Sequence, residues 1–171
     1  MILDISNSLA TAALLASLSV FPSAVQAQQI QRLDVLDHGI YTTTDKSCRR
    51  DASGLLNCTT EEPKLAVGTT SIPAQPKVNF GVRFTVIGAP AKAKVQVKVV
   101  WIFPPEGVKV PGSGQPLRRA EDAPNYTIGE VAWATYRFDD PWELVPGKWT
   151  VEIWEGGRKL LSQDFTVVTP Q

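Results

Sequence analysis

Apolar and polar residues alternate along most of the chain, which is the pattern of half-buried β-strands. Residues 78–86 carry Val or Phe at every second position, and residues 95–103 repeat the pattern with Val, Trp and Phe. Successive side chains of a strand point to opposite faces of a sheet, so each segment has one apolar face and one largely polar face. Similar segments predict strands at 31–43, 65–72 and 130–138.

The last quarter of the chain predicts a hairpin of two further strands. Residues 149–153 alternate in polarity, residues 161–167 provide the return strand, and Gly156 and Gly157 lie between the two. A glycine pair is typical of a tight hairpin turn because glycine adopts positive φ without steric cost. Trp149 lies on the apolar face, and we therefore expect it in the core.

The whole pattern favours an all-β fold, since helical periodicity is almost absent after residue 28. About seven strands separated by Pro and Gly suit an immunoglobulin-like antiparallel β-sandwich, because a parallel sheet needs crossover helices. We expect one such domain over residues 28–171. The connection at 104–125 is unusually long and rich in Pro and Gly, which predicts a mobile or edge-covering segment.

Residues 1–27 have the character of a secretory signal. The apolar block at 9–20 carries no charge, and Val25-Gln26-Ala27 offers small side chains at the positions that a signal peptidase reads. No Lys or Arg precedes the block, which departs from the usual signal pattern, and a buried N-terminal helix is the alternative. We expect cleavage after Ala27, a periplasmic or secreted product, and no remaining membrane span because the block is too short.

Charge excludes some classes of partner. The chain has 17 Lys and Arg against 17 Asp and Glu, so it is formally neutral at pH 7. A protein of this balance has neither the basic surface of a nucleic-acid binder nor a solvating acidic tail. We expect no nucleic-acid partner and no cofactor.

The two cysteines, Cys48 and Cys58, predict a structural disulfide. An exported protein meets an oxidising compartment, and the turn residues at 51–54 would bring the two sulfurs together across a hairpin. A catalytic thiol pair is the alternative. It usually has two intervening residues and lies at a helix start, and neither holds here.

The single histidine, His38, is a weak candidate for a metal ligand. On a regular strand it shares a face with Asp34 and not with Asp37, so the local sequence offers no three-ligand set. A Ser-His-Asp triad would also depend on His38, and the chain has no Gly-x-Ser-x-Gly segment to present a serine. We predict a solvated strand residue.

Adjacent carboxylates occur at three places, each beside proline or in a turn-rich stretch. They are Glu61-Glu62, Glu121-Asp122 and Asp139-Asp140. Glycoside hydrolysis needs two carboxyl groups facing each other across a cleft, which sequence neighbours do not supply by themselves. Asp139, Asp140 and Glu143 also lack the regular ligand spacing of a calcium-binding loop. We therefore expect solvated loop residues and no enzyme.

Aromatic and basic side chains provide the remaining candidates for an interaction surface. Trp154 falls on the polar side of its strand, and with Trp142 or Tyr136 nearby it would form a platform for a sugar or a protein. Arg118 and Arg119 lie in the long connection and are the other candidates.

Two resemblances follow from particular motifs. Leu144-Val145-Pro146-Gly147-Lys148-Trp149 resembles the strand corner of immunoglobulin-like and fibronectin-like domains, with Trp149 in the place of a tyrosine. In those families the tyrosine hydroxyl bonds back to the backbone, and Trp149 can offer its indole N–H instead. The chain lacks the inter-sheet disulfide of antibody domains, because Val151 stands where the second cysteine would be.

Three further segments are similar to an uncharacterised family of exported bacterial proteins, domain of unknown function 3859. The segments are His38-Gly39-Ile40-Tyr41, Trp101-Ile102-Phe103-Pro104-Pro105 and the run from Tyr136 to Trp149. The resemblance implies a bacterial envelope setting and a sandwich fold, and it brings no activity.

Together these patterns predict a non-catalytic binding module whose partner is another envelope protein. An edge strand or the connection at 104–125 would hold that partner, since free strand edges accept added strands. A carbohydrate-binding module that uses Trp154 and Trp142 is the first alternative. An enzyme of unknown class is the second.

Overall fold

A computed structural model describes residues 29–170, and the predicted signal lies outside these residues. The described chain forms thirteen strands and one short 3-10 turn at Pro141–Glu143. The strands are β1 (Gln29–Thr42), β2 (Asp45–Arg50), β3 (Leu56–Thr60), β4 (Lys64–Gly68), β5 (Ser71–Pro73), β6 (Asn79–Ala89), β7 (Lys94–Gln96), β8 (Lys98–Ile102), β9 (Arg119–Asp122), β10 (Asn125–Thr127), β11 (Val131–Arg137), β12 (Gly147–Glu155) and β13 (Arg158–Val168). Within residues 29–170 no helix has the length and apolarity of a membrane span.

Two larger sheets form the sandwich that the sequence predicts. The four-stranded sheet has the order β11-β6-β1-β4, and the five-stranded sheet has the order β5-β13-β12-β8-β9. All pairings are antiparallel except that of β5 with β13. Two small sheets, β2-β3 and β10-β7, complete the described chain. The all-β, immunoglobulin-like prediction is confirmed.

The core lies between the two sheets and follows the predicted alternation. Phe80, Val82, Phe84 and Val86 of β6 are fully buried. Aromatic rings from both sheets surround Phe80, and the Trp101 ring lies 5.4 Å from it in an edge-to-face arrangement. Offset and edge-to-face aromatic pairs add stability beyond the area they bury. The alternation in sequence therefore corresponds to one continuous apolar layer.

The predicted C-terminal hairpin is formed by β12 and β13. Gly156 and Gly157 make the turn with positive φ values of 52° and 86°. Trp149 is fully buried, and its Nε1 donates a hydrogen bond to the Val145 carbonyl oxygen at 2.9 Å. The indole therefore occupies the place of the corner tyrosine, as the sequence resemblance implied.

Two segments differ from the prediction. A single strand at 65–72 is wrong, because the chain turns after Gly68 and supplies β4 to one sheet and β5 to the other. The Thr69 hydroxyl accepts a hydrogen bond from the Ser71 N–H at 3.0 Å, which holds this turn. The strand at 95–103 is divided at Val97, whose N–H donates to the Pro124 carbonyl. The number of strands consequently exceeds seven.

The long connection at 104–125 packs against the core through Val108, Val110 and Leu117 and covers a sheet edge. Val108 is fully buried and forms a bridge with Leu117, which ties the two halves of the connection together. The connection ends in β9, which pairs with β8 as the last strand of its sheet. The pairing of β9 agrees with the edge-covering prediction, and mobility of the rest of the connection stays a prediction.

Candidate functional site

A cleft of about 490 Å³ opens between β9 and β11, the edge strands of the two sheets. Small side chains explain its presence. Ala132 and Ala134 of β11 and Ala120 of β9 line the cleft, at positions where the other core strands carry Val, Phe or Trp. Because these three residues do not fill the space between the sheet edges, the sandwich remains open along this side.

The floor of the cleft is aromatic. Trp101 and Tyr136 both line it, and their ring centroids lie 5.5 Å apart in an edge-to-face arrangement. The Tyr136 hydroxyl donates a hydrogen bond to Oε1 of Glu143 at 2.8 Å. Burial raises the pKa of Tyr136, so the hydroxyl remains a donor near neutral pH.

Glu143 is a buried carboxylate at one end of the cleft. Besides the Tyr136 hydroxyl, it accepts hydrogen bonds at Oε2 from the backbone N–H groups of Asp139 and Asp140, at 2.6 and 2.7 Å. Burial raises the pKa of Glu143. With three donors in place, this carboxylate holds the turn at Pro141–Glu143 against β11, which is a structural role.

The β2-β3 hairpin closes the same end of the cleft, and it carries the predicted disulfide. Cys48 and Cys58 face each other in the strand register and are joined by an S–S bond, so the pairing is confirmed. The Asp51 carboxylate accepts hydrogen bonds from the Ser53 and Leu55 N–H groups, which builds the predicted turn. Leu55 is buried in the core and anchors the hairpin.

Arg137 joins this hairpin to β11. Its guanidinium lies 2.6 Å from Asp45, donates to Asp139 at 2.9 Å, and lies 3.1 Å from Sγ of Cys58. A second ion pair forms at the other end of β2, where the Arg50 guanidinium lies 2.8 Å from the Asp140 carboxylate. The side chain of Arg137 is only 16% exposed, and a planar guanidinium in this position suits several acceptors at once. The hairpin is therefore fixed at the cleft end.

Carboxylates dominate the charged lining of the cleft. Six line it against the single cation Arg137, and they are Asp51, Glu121, Asp122, Glu130, Asp139 and Glu143. Asp139 and Glu143 are held by the contacts described above. Glu121 and Glu130 form exposed pairs with Arg119 and Lys92, on the rim of the cleft. The open side of the cleft is consequently acidic.

The predicted interaction residues do not all meet at this cleft. Arg118 and Arg119 are exposed at β9, and Arg119 pairs with Glu121 on the rim. Trp142 is half-buried in the 3-10 turn, packed against the core before β12 begins. Trp154 lies near the opposite end of β12, one residue before it finishes.

The environment of Trp154 is occupied by its neighbours. Its Nε1 donates to Glu152 at 3.0 Å, and Nζ of Lys159 lies 5.0 Å from the ring centroid. Tyr136, by contrast, is buried in the floor of the cleft. A shared aromatic platform of Trp154 with Tyr136 is therefore not formed, and a sugar-binding role of Trp154 alone stays a prediction.

The histidine region differs from the regular strand that the sequence implied. A β-bulge lies between Val35 and Asp37, and it places Asp37 opposite Arg83 and His38 opposite Val82. Since cross-strand partners share a face, Asp34 and Asp37 point to the same side and His38 to the other, the reverse of the expectation. Asp37 is held by Arg83 at 2.7 Å and by the Tyr41 hydroxyl at 2.6 Å.

A potential metal-ligand group in the described residues consists of Asp45, Cys48 and Cys58. Both sulfurs are consumed by the disulfide, so neither offers a thiolate to a metal. At least one member of each predicted carboxylate pair is likewise engaged, with Glu121 bound by Arg119. Glu62 binds Arg83 at 2.9 Å, and Lys77 binds Asp139 at 2.8 Å.

Sequence reasoning did not find the cleft. The available signal was the pair of alanines at alternate positions 132 and 134, which is unusual in a core strand that otherwise needs bulk. The position of β9 beside β8 had no local signal, because a pairing across a long connection depends on the tertiary fold.

Solved structures support the fold. An immunoglobulin-like protein from Pseudomonas aeruginosa is 22% identical, with a TM-score of 0.60, and the alignment covers 85% of this chain and 100% of that one. At this identity the likeness shows the fold alone.

Two other structures are more distant. The alkylpurine DNA glycosylase AlkC of Pseudomonas fluorescens is 19% identical, with a TM-score of 0.35, over 57% of this chain and 27% of that one. The β-D-glucoside glucohydrolase of Trichoderma reesei is 13% identical, with a TM-score of 0.34, over 84% of this chain and 19% of that one. Neither carries a functional argument.

Comparison with curated proteins finds no match. A family model described as "Domain of unknown function (DUF3859)" matches residues 29–167, which is most of the chain. The fold and this match agree with the sequence motifs at residues 38–41, 101–105 and 136–149. The chain belongs to the DUF3859 family.

Proposed function

We propose that this chain is a non-catalytic interaction module of the bacterial cell envelope and that it holds another protein in the cleft between β9 and β11. The observation that carries the proposal is the cleft itself, an opening of about 490 Å³ with an apolar floor where a sandwich core is normally closed. An apolar recess with a few polar groups at its rim is typical of a binding site.

The chemistry of the cleft favours binding over catalysis. Glu143 and Asp139 have the burial that tunes catalytic carboxyl groups, yet each is held by hydrogen bonds or ion pairs within the protein. A general acid or base must instead reach a proton on the substrate. These two carboxylates therefore support the fold of the cleft.

The envelope setting is supported by the disulfide between Cys48 and Cys58 and by the expected signal at residues 1–27. Disulfides persist in oxidising compartments such as the periplasm. A disulfide-bonded hairpin at the cleft end suits a protein that works in such an oxidising compartment.

The test is co-purification from bacterial envelope extracts with wild type and with Ala134→Leu. Leucine at this position extends into the cleft, so we expect the captured partner to be lost while the protein stays folded. Ala91→Leu is the matched control, because it makes the same change at an exposed position outside the cleft. Equal capture by all three proteins would show that the cleft is not the binding site.

A further inference from the structure

We propose that the occupant of the cleft is an extended, cationic segment of the partner protein, which adds to β11 as a further strand. This inference rests on the proposed function and names the kind of ligand that the cleft receives. Three observations carry it: the unpaired edge of β11, the apolar floor beside that edge, and the acidic rim.

The backbone of β11 has an unpaired side. Phe138, just after the strand, exchanges backbone hydrogen bonds with residues 77 and 78, which places it toward β6. Alternate residues of a strand direct their N–H and C=O groups to opposite sides, so Thr135 and Arg137 turn theirs away from β6. Trp133 follows the same alternation: its carbonyl oxygen also points away from β6 and accepts a hydrogen bond from the Tyr126 hydroxyl at 3.0 Å.

Within the described residues, no strand pairs with this side of β11. A row of free donors and acceptors beside an opening is the arrangement that accepts an added strand from another chain. Structural elements bound the row at both ends. At one end the Tyr126 hydroxyl already donates to the Trp133 carbonyl oxygen. At the other end Cys58 of the β2-β3 hairpin contacts the Arg137 side chain. The available edge is therefore short and centres on Thr135.

The floor of the cleft determines which side chains such a segment carries. A strand beside β11 directs alternate side chains toward the core, as Ala132, Ala134 and Tyr136 do. The small alanines leave room there, next to Trp101 and Ala120. Apolar residues at every second position of the partner segment would fill this space.

The acidic rim of the cleft determines which charge the partner segment should carry. Glu121 and Glu130 on the rim form only exposed ion pairs, which contribute little and are readily exchanged. Asp122 takes part in none of the ion pairs formed among residues 29–170. Asp122 pairs with Val99, whose side chain faces the core, and it lines the cleft together with Tyr126, so its carboxylate belongs to the cleft side of β9. Lys or Arg on the partner segment complements this rim.

The inference is tested with three fluorescent peptides that share alternating valines and carry Lys, Ser or Glu at the intervening positions. At low salt we expect the dissociation constant of the Lys peptide to be at least about tenfold lower than that of the Glu peptide. This difference should shrink as the salt concentration rises. Binding is followed by fluorescence anisotropy, with the full folded protein.

Three variants locate the site. Thr135→Pro removes a free backbone N–H from an edge strand, where proline is tolerated, and we expect it to weaken the Lys peptide about tenfold or more. Thr135→Val keeps the N–H and is the matched control. Asp122→Asn is expected to weaken the Lys peptide and leave the Ser peptide unchanged, which keeps the test decisive if the proline variant unfolds.

Several results would overturn the inference: no peptide binding, equal affinity for the Lys and Glu peptides, or binding unaffected by both Thr135→Pro and Asp122→Asn. Failure here differs from failure of the proposed function. If Ala134→Leu still abolishes capture of the envelope partner, the cleft binds a protein by another mode. If Ala134→Leu captures the partner normally, the proposed function itself is wrong.

Discussion

The indole N–H of Trp149 is hydrogen-bonded to the carbonyl oxygen of Val145, four residues earlier in the chain. The ring beyond this bond is fully buried and contacts Phe103, with 4.7 Å between ring centroids. One side chain therefore ties the strand corner and fills the core at the same time.

Trp149→Phe tests this double role. Phenylalanine lacks the donor and leaves part of the space empty, so we expect the free energy of unfolding to fall by about 2 to 4 kcal/mol. Urea unfolding measures the change. Trp154→Phe is the matched control, and since Trp154 is half-exposed its loss should stay under about 1 kcal/mol. Similar losses in both variants would contradict the role of the corner.

Removal of the disulfide should destabilise the protein by an amount set mainly by loop length. The two cysteines are 10 residues apart, and the chain-entropy model gives about 2.5 to 3 kcal/mol for a loop of this size. We expect a double Cys48→Ser, Cys58→Ser variant to lose this much in chemical denaturation. Reduced wild type should match the variant, and an unchanged midpoint in both would show that the disulfide contributes nothing to stability.

The ion pair of Asp37 and Arg83 should make stability depend on pH in the acid range. Burial acts to raise the pKa of Asp37, but hydrogen bonds from Arg83 and Tyr41 outweigh it and hold that pKa below the ordinary value of 3.8. A lowered pKa means that the folded state favours the ionised form. The resulting stability is present above about pH 4 and is lost as pH falls through the folded pKa.

Asp37→Asn is therefore expected to cost about 1 to 3 kcal/mol at pH 7 and progressively less below pH 4. Unfolding free energies of wild type and variant, measured between about pH 2 and 7, give the difference directly. Asp34→Asn controls for charge, since Asp34 is bound by the exposed Arg32 on the same strand. A difference that grows toward acid pH would have the wrong sign.

Filling the cleft should stabilise the fold even as it prevents binding. Ala134→Leu adds apolar volume to an under-filled part of the core, and cavity-filling changes commonly raise stability by about 0.5 to 2 kcal/mol. We expect a higher melting temperature for this variant and no change for Ala91→Leu, whose side chain is exposed. A lower melting temperature would show that the cleft is too narrow for the added side chain.

Most of the sandwich was predictable because its strands are long and alternate strictly. Phe80, Val82 and Phe84 lie on one face in sequence and in the fold, and Gly156-Gly157 marks the hairpin turn. The short strand β9 was not predictable, since four residues carry little periodicity and its pairing with β8 depends on the whole fold.

The β-bulge in β1 is a second feature that the local sequence does not predict. It reverses the faces of Asp37 and His38, and nothing in the local pattern marks its position. The disulfide was predictable because the expected oxidising compartment and the turn residues at 51–54 both favour it. The cleft depends on what three alanines leave empty, and a missing volume is visible only when all its walls are known.

The β2-β3 hairpin enters and leaves the sandwich at one point, because Thr42 and Lys64, on either side of it, are paired in β1 and β4. The hairpin is thus an insert in a single loop, and Leu55 is its one member among the buried core residues. Its length and composition are exchangeable without a change in the order of any core strand. The end wall of the cleft is therefore a part of this scaffold that can be exchanged, and under the proposed function such an exchange would alter which partner the cleft binds.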